Sequence, residues 1–225
     1  MSKGRNYKGI EIFRVVAAFL VIAIHTSPLT TYSQTADFIF TRVIARVAVP
    51  FFFMVTGFFV LSKGTDVRRF LKKTAIIYAA SAALYLPINV YAGHLQSWDM
   101  IDLVQQVFFE GTFYHLWYLP AAILGAWLTW KLMRRLSSGA CLAAVAVLYL
   151  LGLLGDSYWG LVENVPVICS VYNALFALMG YTRGGLFFAP IFMWLGAQLR
   201  YAKPRGTGFE IAGLIVSFAL MLAEA

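Results

Sequence analysis

Glu11, Arg14 and His25 are the ionisable residues of an otherwise apolar stretch near the start of the chain. A charged group at the centre of a membrane helix costs about 2.5–3.5 kcal/mol on insertion scales, so such residues point to function by default. Eleven positions separate Arg14 from His25, three helical turns plus about 20°, which sets both on one face roughly 16 Å apart along the axis. Glu11 precedes Arg14 by three residues, within reach of a pair. The face continues through Ala18 and Val21, which would admit a neighbouring helix or a ligand. An imidazole is poised near neutral pH to act as a general base. A second reading stays open: Arg14 snorkels to the headgroups and His25 closes its helix beside Thr26 and Ser27.

Further along, Arg46 lies inside a second apolar stretch with no carboxylate nearby in sequence. Its partner must come from another helix or from an anionic ligand. His115 and Trp117 sit in Y-H-L-W-Y-L-P, which reads either as an interfacial aromatic belt or as a substrate contact. Arg183, followed by Gly184 and Gly185, could form an anion site at a helix N-terminus. His94, Asp99, Asp102 and Glu110 read as solvated loop residues. The sequence has no glycine-rich phosphate loop, zinc-ligand spacing or Ser-His-Asp arrangement, and no metal is expected. Cys141 and Cys169 read as two buried free thiols.

These residues need a scaffold, and composition says which. The 225 residues are 61% hydrophobic and 12% charged, against about 25% charged for a soluble domain. Apolar blocks long enough to cross a bilayer recur along the chain. The expected spans are about 10–29, 38–61, 74–91, 116–130, 139–154, 185–199 and one from 208 onward. An amphipathic surface helix is expected within 94–114, where Met100, Leu103, Val104, Val107 and Phe108 recur at helical spacing. Segment 157–182, aromatic and containing Pro166, reads as interfacial or re-entrant.

The net charge of +8 is spread in short clusters between the apolar blocks. That pattern fits the positive-inside rule and not a nucleic-acid-binding face. With Lys3, Arg5 and Lys8 ahead of the first span, the N-terminus is expected in the cytoplasm. The fold class is therefore all-α, a polytopic bundle of about seven spans with the lipid bilayer as its partner. The last span is still apolar at Ala225, and residues 1–225 are expected to be the N-terminal membrane domain of a longer protein.

The stretch I-F-R-V-V-A-A-F-L-V-I-A-I-H resembles the first helix of the acyltransferase-3 family. F-F-F-M-V-T-G-F-F-V resembles that family's second helix, with Thr56 in place of the usual Ser, and H-L-W-Y-L resembles its aromatic motif. Within the family, H-T-S-P-L, R-V-A-V-P-F-F-F-M and Y-H-L-W-Y-L-P-A most resemble the membrane domains of vancomycin-resistance serine racemases. The resemblance implies a multi-pass domain of the bacterial plasma membrane that transfers an acyl group, usually acetyl from acetyl-CoA, to a hydroxyl acceptor. It assigns His25 as the base for the acceptor hydroxyl and Arg14 to the acyl donor. The racemase likeness also implies a fused cytoplasmic racemase domain. Pyridoxal phosphate would belong to that domain and not to this chain. It implies as well a rival role, supply of L-serine across the membrane, with Arg46 or Arg183 holding the substrate carboxylate.

Overall fold

The computed structural model describes residues 7–62, 66–93, 99–113, 116–203 and 206–224. Helices joined by turns and short irregular links account for all of them, with no β-strand among the described residues. The chain forms two compact units, residues 56–200 and the two flanking segments together.

In the flanking unit, α1 (Lys8–Thr26) ends at Ser27, whose left-handed backbone (φ 44°) lets its N–H reach the Ala23 carbonyl. A turn leads to α2 (Gln34–Phe38), capped by the Ser33 hydroxyl. Asp37, 7% exposed, folds back on this turn and accepts a hydrogen bond from the Leu29 N–H at 2.9 Å. From Gln34 the chain stays helical as far as Leu61, but not uniformly. Ile39–Ile44 is a π-helix, Ala45–Val47 a 3₁₀ turn and α3 covers Ala48–Thr56. Pro50 lies inside α3 and does not end it. Its ring has no N–H for the Arg46 carbonyl, and the irregular turns just upstream absorb that mismatch. α1 packs on this region through small residues, with Ala17, Ala45 and Ala48 all fully buried. Phe13 and Phe51 meet edge-on at 4.6 Å. The unit also contains α10 (Thr207–Glu224).

The central unit begins with a π-helical turn, Gly57–Leu61. It continues with α4 (Val67–Tyr91), α5 (Met100–Gln105) running into a second π turn, Gln106–Glu110, α6 (Tyr118–Arg135), α7 (Ser138–Leu154), α8 (Pro166–Met179) and α9 (Ala189–Leu199). The middle is built from small residues so that helix backbones approach closely. Ala121, Ala122, Gly125 and Ala126 of α6 face Ala189, Pro190 and Met193 of α9. Gly57 lies against the Met193 carbonyl so tightly that a Cβ there would collide with backbone. Cys141, Val145 and Trp194 form a further apolar cluster with Leu132, Met133 and Ile191. Both cysteines are free, Cys141 buried and Cys169 only half-buried.

Several boundaries differ from the sequence reading. α4 starts at Val67, where the Asp66 carboxylate caps the N–H groups of Arg68 and Arg69. The basic residues Arg68, Arg69, Lys72 and Lys73 therefore ride on the first turns of the helix. Pro166 occupies the first turn of α8, where its missing N–H is no loss. It opens a helix of 14 residues and does not interrupt one. The expected 185–199 span contracts to α9, 11 residues, because the Gly184–Gly185 stretch forms a turn.

Large apolar side chains point outward on these helices, among them Phe19, Leu84 and Leu214 at 67%, 76% and 71% exposure. A bilayer is the solvent that makes this tolerable. Among the described residues, Lys8–Thr26, Gln34–Leu61 and Val67–Tyr91 are long and apolar enough to cross a membrane alone, while Ser138–Leu154, Pro166–Met179, Ala189–Leu199 and Thr207–Ala223 are apolar but shorter.

Candidate functional site

Arg14 emerges from α1 into an open groove of about 480 Å³ that Glu11, Ala18, Ile22 and Phe52 also line. Arg14 and Glu11 are both exposed, and among the described residues the only ion pair is one formed by other residues. The pair expected from their spacing is thus not formed, which leaves the Arg14 guanidinium open to an anionic group entering the groove. His25 stands in the last turn of α1, exposed. Next to it Thr26 turns its hydroxyl back to the Ile22 carbonyl at 3.1 Å. The helix runs unbroken from one residue to the other, so the spacing that aligns Arg14 with His25 is realised. Arg46 lies in the 3₁₀ turn Ala45–Val47. It is exposed and makes no ion pair with any described carboxylate.

The other residues singled out by the sequence belong to the central unit. There a cavity of about 540 Å³ is lined by Trp117 and Arg183 together with Asn89, Glu110, Thr112 and Asp156, among others. His115 lies outside the described residues. Trp117 is half-buried at the head of α6. The chain passes it closely at Gly111 (φ 83°), where a Cβ would stand 2.5 Å from the Trp117 nitrogen. Arg183 does not stand free as a substrate-carboxylate holder would. It grips Asp156 in a fork, Nε to Oδ2 and Nη2 to Oδ1, both at 2.9 Å.

The wall of this cavity is fixed by polar ties to α4. The Tyr78 hydroxyl donates to the Val107 carbonyl at 2.8 Å and accepts from the Thr112 N–H at 3.2 Å. The buried Asn89 amide donates to the Thr112 carbonyl at 2.6 Å. Tyr85 stacks on Phe113 at 4.4 Å. On the opposite side, Gln105 donates both to Glu110 (3.3 Å) and to the last-turn carbonyl of Phe176 on α8 (3.2 Å). Gln106 donates to the other Glu110 oxygen.

Glu110 corrects the sequence reading, which placed it among solvated loop residues: it is half-buried. Burial raises its carboxyl above the ordinary 4.5, and the Asp102 charge adds to this against the opposing pull of the Gln106 and Gln105 amides. A signal for it was present in the sequence. Gln106 and Glu110 are four apart on an amphipathic segment, the spacing at which an amide meets a carboxylate. Asp99 and Asp102, by contrast, form a capping box at the start of α5.

Comparison with known proteins places these elements in a lineage. An acyltransferase domain, the acyltransferase-3 family's, matches residues 7–223. An amino-acid racemase of Enterococcus faecalis is 47% identical over all of this chain, which corresponds to 32% of the relative. A second E. faecalis amino-acid racemase is 39% identical over 92% of the chain and 31% of the relative. A serine/alanine racemase of Enterococcus gallinarum is 39% identical over 86% and 29%. The chain thus spans about a third of the length of these relatives. No solved structure matches it. Because the family match begins one residue ahead of the arginine–histidine helix and runs through to α10, the chain belongs to the acyltransferase-3 family.

Proposed function

We propose that residues 1–225 are the membrane domain of a longer bacterial protein and that the domain transfers an acyl group from acyl-CoA, acetyl-CoA being the expected donor, to a hydroxyl acceptor. The observation that carries the reading is the single face of α1 that bears Arg14 in an open groove and His25 three turns away, in a chain of this family. In this reading seven spans cross the plasma membrane with the N-terminus in the cytoplasm. Arg14 then lies toward the side where acyl-CoA is found, and His25 toward the side of the acceptor.

The chemistry follows from those positions. Arg14 offers a planar, permanently charged fork to the phosphates of the donor. The flexible pantetheine arm carries the thioester along the roughly 16 Å that separates the two residues. The His25 imidazole takes the proton of the acceptor hydroxyl as its oxygen attacks the thioester carbonyl carbon. The carbon–sulfur bond breaks, and CoA departs as the thiol after regaining a proton. Arg46 and Trp117, with His115, are assigned to substrate contact.

A second reading rests on the relatives. Three racemases contain a segment like this chain in about a third of their length, so a fused cytoplasmic racemase domain is the proposed partner. The membrane part would then supply L-serine to it.

One experiment separates the two: thiol release from acetyl-CoA by the full-length parent in proteoliposomes, for wild type and His25→Ala. Donor-dependent release that falls at least ~100-fold in the variant supports acyl transfer through His25. Absence of release from both proteins, with labelled serine still entering the vesicles, overturns it in favour of transport.

A further inference from the structure

The cavity of the central unit has an uneven charge balance. Two carboxylates line it, Asp156 and Glu110. Asp156 is neutralised by the Arg183 fork. Glu110 receives only neutral amide N–H groups, from Gln105 and Gln106, and has no cationic partner among the described residues. An ionised carboxylate in a half-buried place with no counter-charge is unfavourable unless something positive joins it.

The rest of the wall says what kind of positive group fits. Trp117, Phe113 and Tyr181 contribute aromatic surface, which attracts organic cations. The hydroxyl oxygen of Thr112, another lining residue, has no hydrogen-bond partner among the described residues. Both features suit a ligand that carries positive charge and donates hydrogen bonds. A metal ion suits them less well, since no group of three His, Cys, Asp or Glu residues gathers among the described residues and rings do not replace oxygen ligands. A free anion would meet the Glu110 charge. At about 540 Å³ the space falls in the range of small-ligand sites.

We infer that this cavity binds an organic ammonium group, with Glu110 as its counter-ion and the Trp117 side of the wall as its aromatic face. The inference shares Trp117 with the substrate contact proposed above, but its test requires neither acyl transfer nor serine transport. Two sources of the ammonium are chemically equivalent here: a free amine or amino acid, and the amine headgroup of a lipid. Glu110 must be ionised to act, so binding weakens as pH falls through the titration of its carboxyl.

The test uses the whole chain in nanodiscs of phosphatidylglycerol alone, which carry no amine, with calorimetric titration of ethanolamine, L-serine and glycerate. Glycerate has the serine skeleton with a hydroxyl in place of the amine. The expected result is heat from at least one amine and none from glycerate. Affinity should fall at low pH and drop at least tenfold in Glu110→Gln, with the pH dependence lost. Nanodiscs containing phosphatidylethanolamine assign the source: competition with ethanolamine identifies the headgroup, and undiminished binding identifies the soluble amine. Glycerate binding as well as the amines, or pH-independent amine binding by the wild type, would overturn the inference without recourse to a variant. No acyl donor is present, so an inactive His25→Ala protein leaves this result untouched.

Discussion

Arg183 and Asp156, 27 residues apart, lock together through a two-pronged contact at 2.9 Å on each prong. The arginine is half-exposed and the aspartate 24% exposed. Solvent screens such a pair, and exposed pairs are worth about 0–1 kcal/mol. Asp156→Asn should therefore lower stability by no more than ~1 kcal/mol while releasing the guanidinium. An increase in anion-dependent thermal stabilisation of Asp156→Asn over wild type, removed again by Arg183→Ala, is the expected outcome. Its absence would show that Arg183 is not available to anions even when unpaired.

Asn89 is 3% exposed and donates its amide to the Thr112 carbonyl at 2.6 Å. Truncation would leave that carbonyl without its partner, at a cost of about 1–3 kcal/mol. Asn89→Ala should lower the melting temperature in detergent or nanodiscs. Tyr78→Phe, which removes one donor and one acceptor from the same wall, should act similarly. Because the two ties hold one segment, the double variant should cost less than the sum of the single ones.

Gly57→Ala should be among the most damaging small substitutions in the chain. The added methyl would overlap the Met193 backbone, which cannot swing aside as a side-chain tip would. Gly139→Ala is the matched control, since nothing lies within 4 Å of the added carbon. Size-exclusion profiles of the two variants should diverge, with loss of monodisperse protein confined to Gly57→Ala.

Glu110 gives stability a pH dependence whose sign can be worked out. Its folded-state carboxyl titrates above the ordinary 4.5, so the folded state holds its proton more tightly than the unfolded chain does. That contribution is fully present below the unfolded value and is lost as pH rises through the folded one. Wild type minus Glu110→Gln melting temperatures should fall across the window that opens at about 4.5. A flat difference would remove burial as the cause.

The helical class, the outward-facing apolar surface and the unbroken Arg14–His25 face were legible in the sequence, because each follows from composition and a fixed period. Boundaries were less so. A hydropathy reading stops α4 at Thr74 where the basic residues begin, yet the helix continues to the Asp66 cap, which is a local hydrogen-bonding signal and not an apolar one. No residue pattern announces the π turns at Ile39–Ile44 and Gln106–Glu110. The Arg183–Asp156 pair joins residues 27 apart in sequence; the Gln106–Glu110 spacing was legible, but the burial of Glu110 in the cavity wall was not. Only the folded chain brings them to one cavity.

With 11 residues, α9 extends for about 16 Å, roughly half of a 30 Å hydrocarbon core. Ala189, Pro190, Met193, Trp194, Gly196 and Ala197 are buried within the unit, so protein and not lipid surrounds most of this short helix. The turn that precedes it satisfies backbone and side-chain groups internally: Phe188 N–H to the Gly184 carbonyl at 3.0 Å, and the Thr182 hydroxyl to the Gly152 carbonyl at 2.8 Å. A helix too short to cross the hydrocarbon core is thereby tolerated, because neighbouring protein and not lipid meets most of its surface and its leading turn.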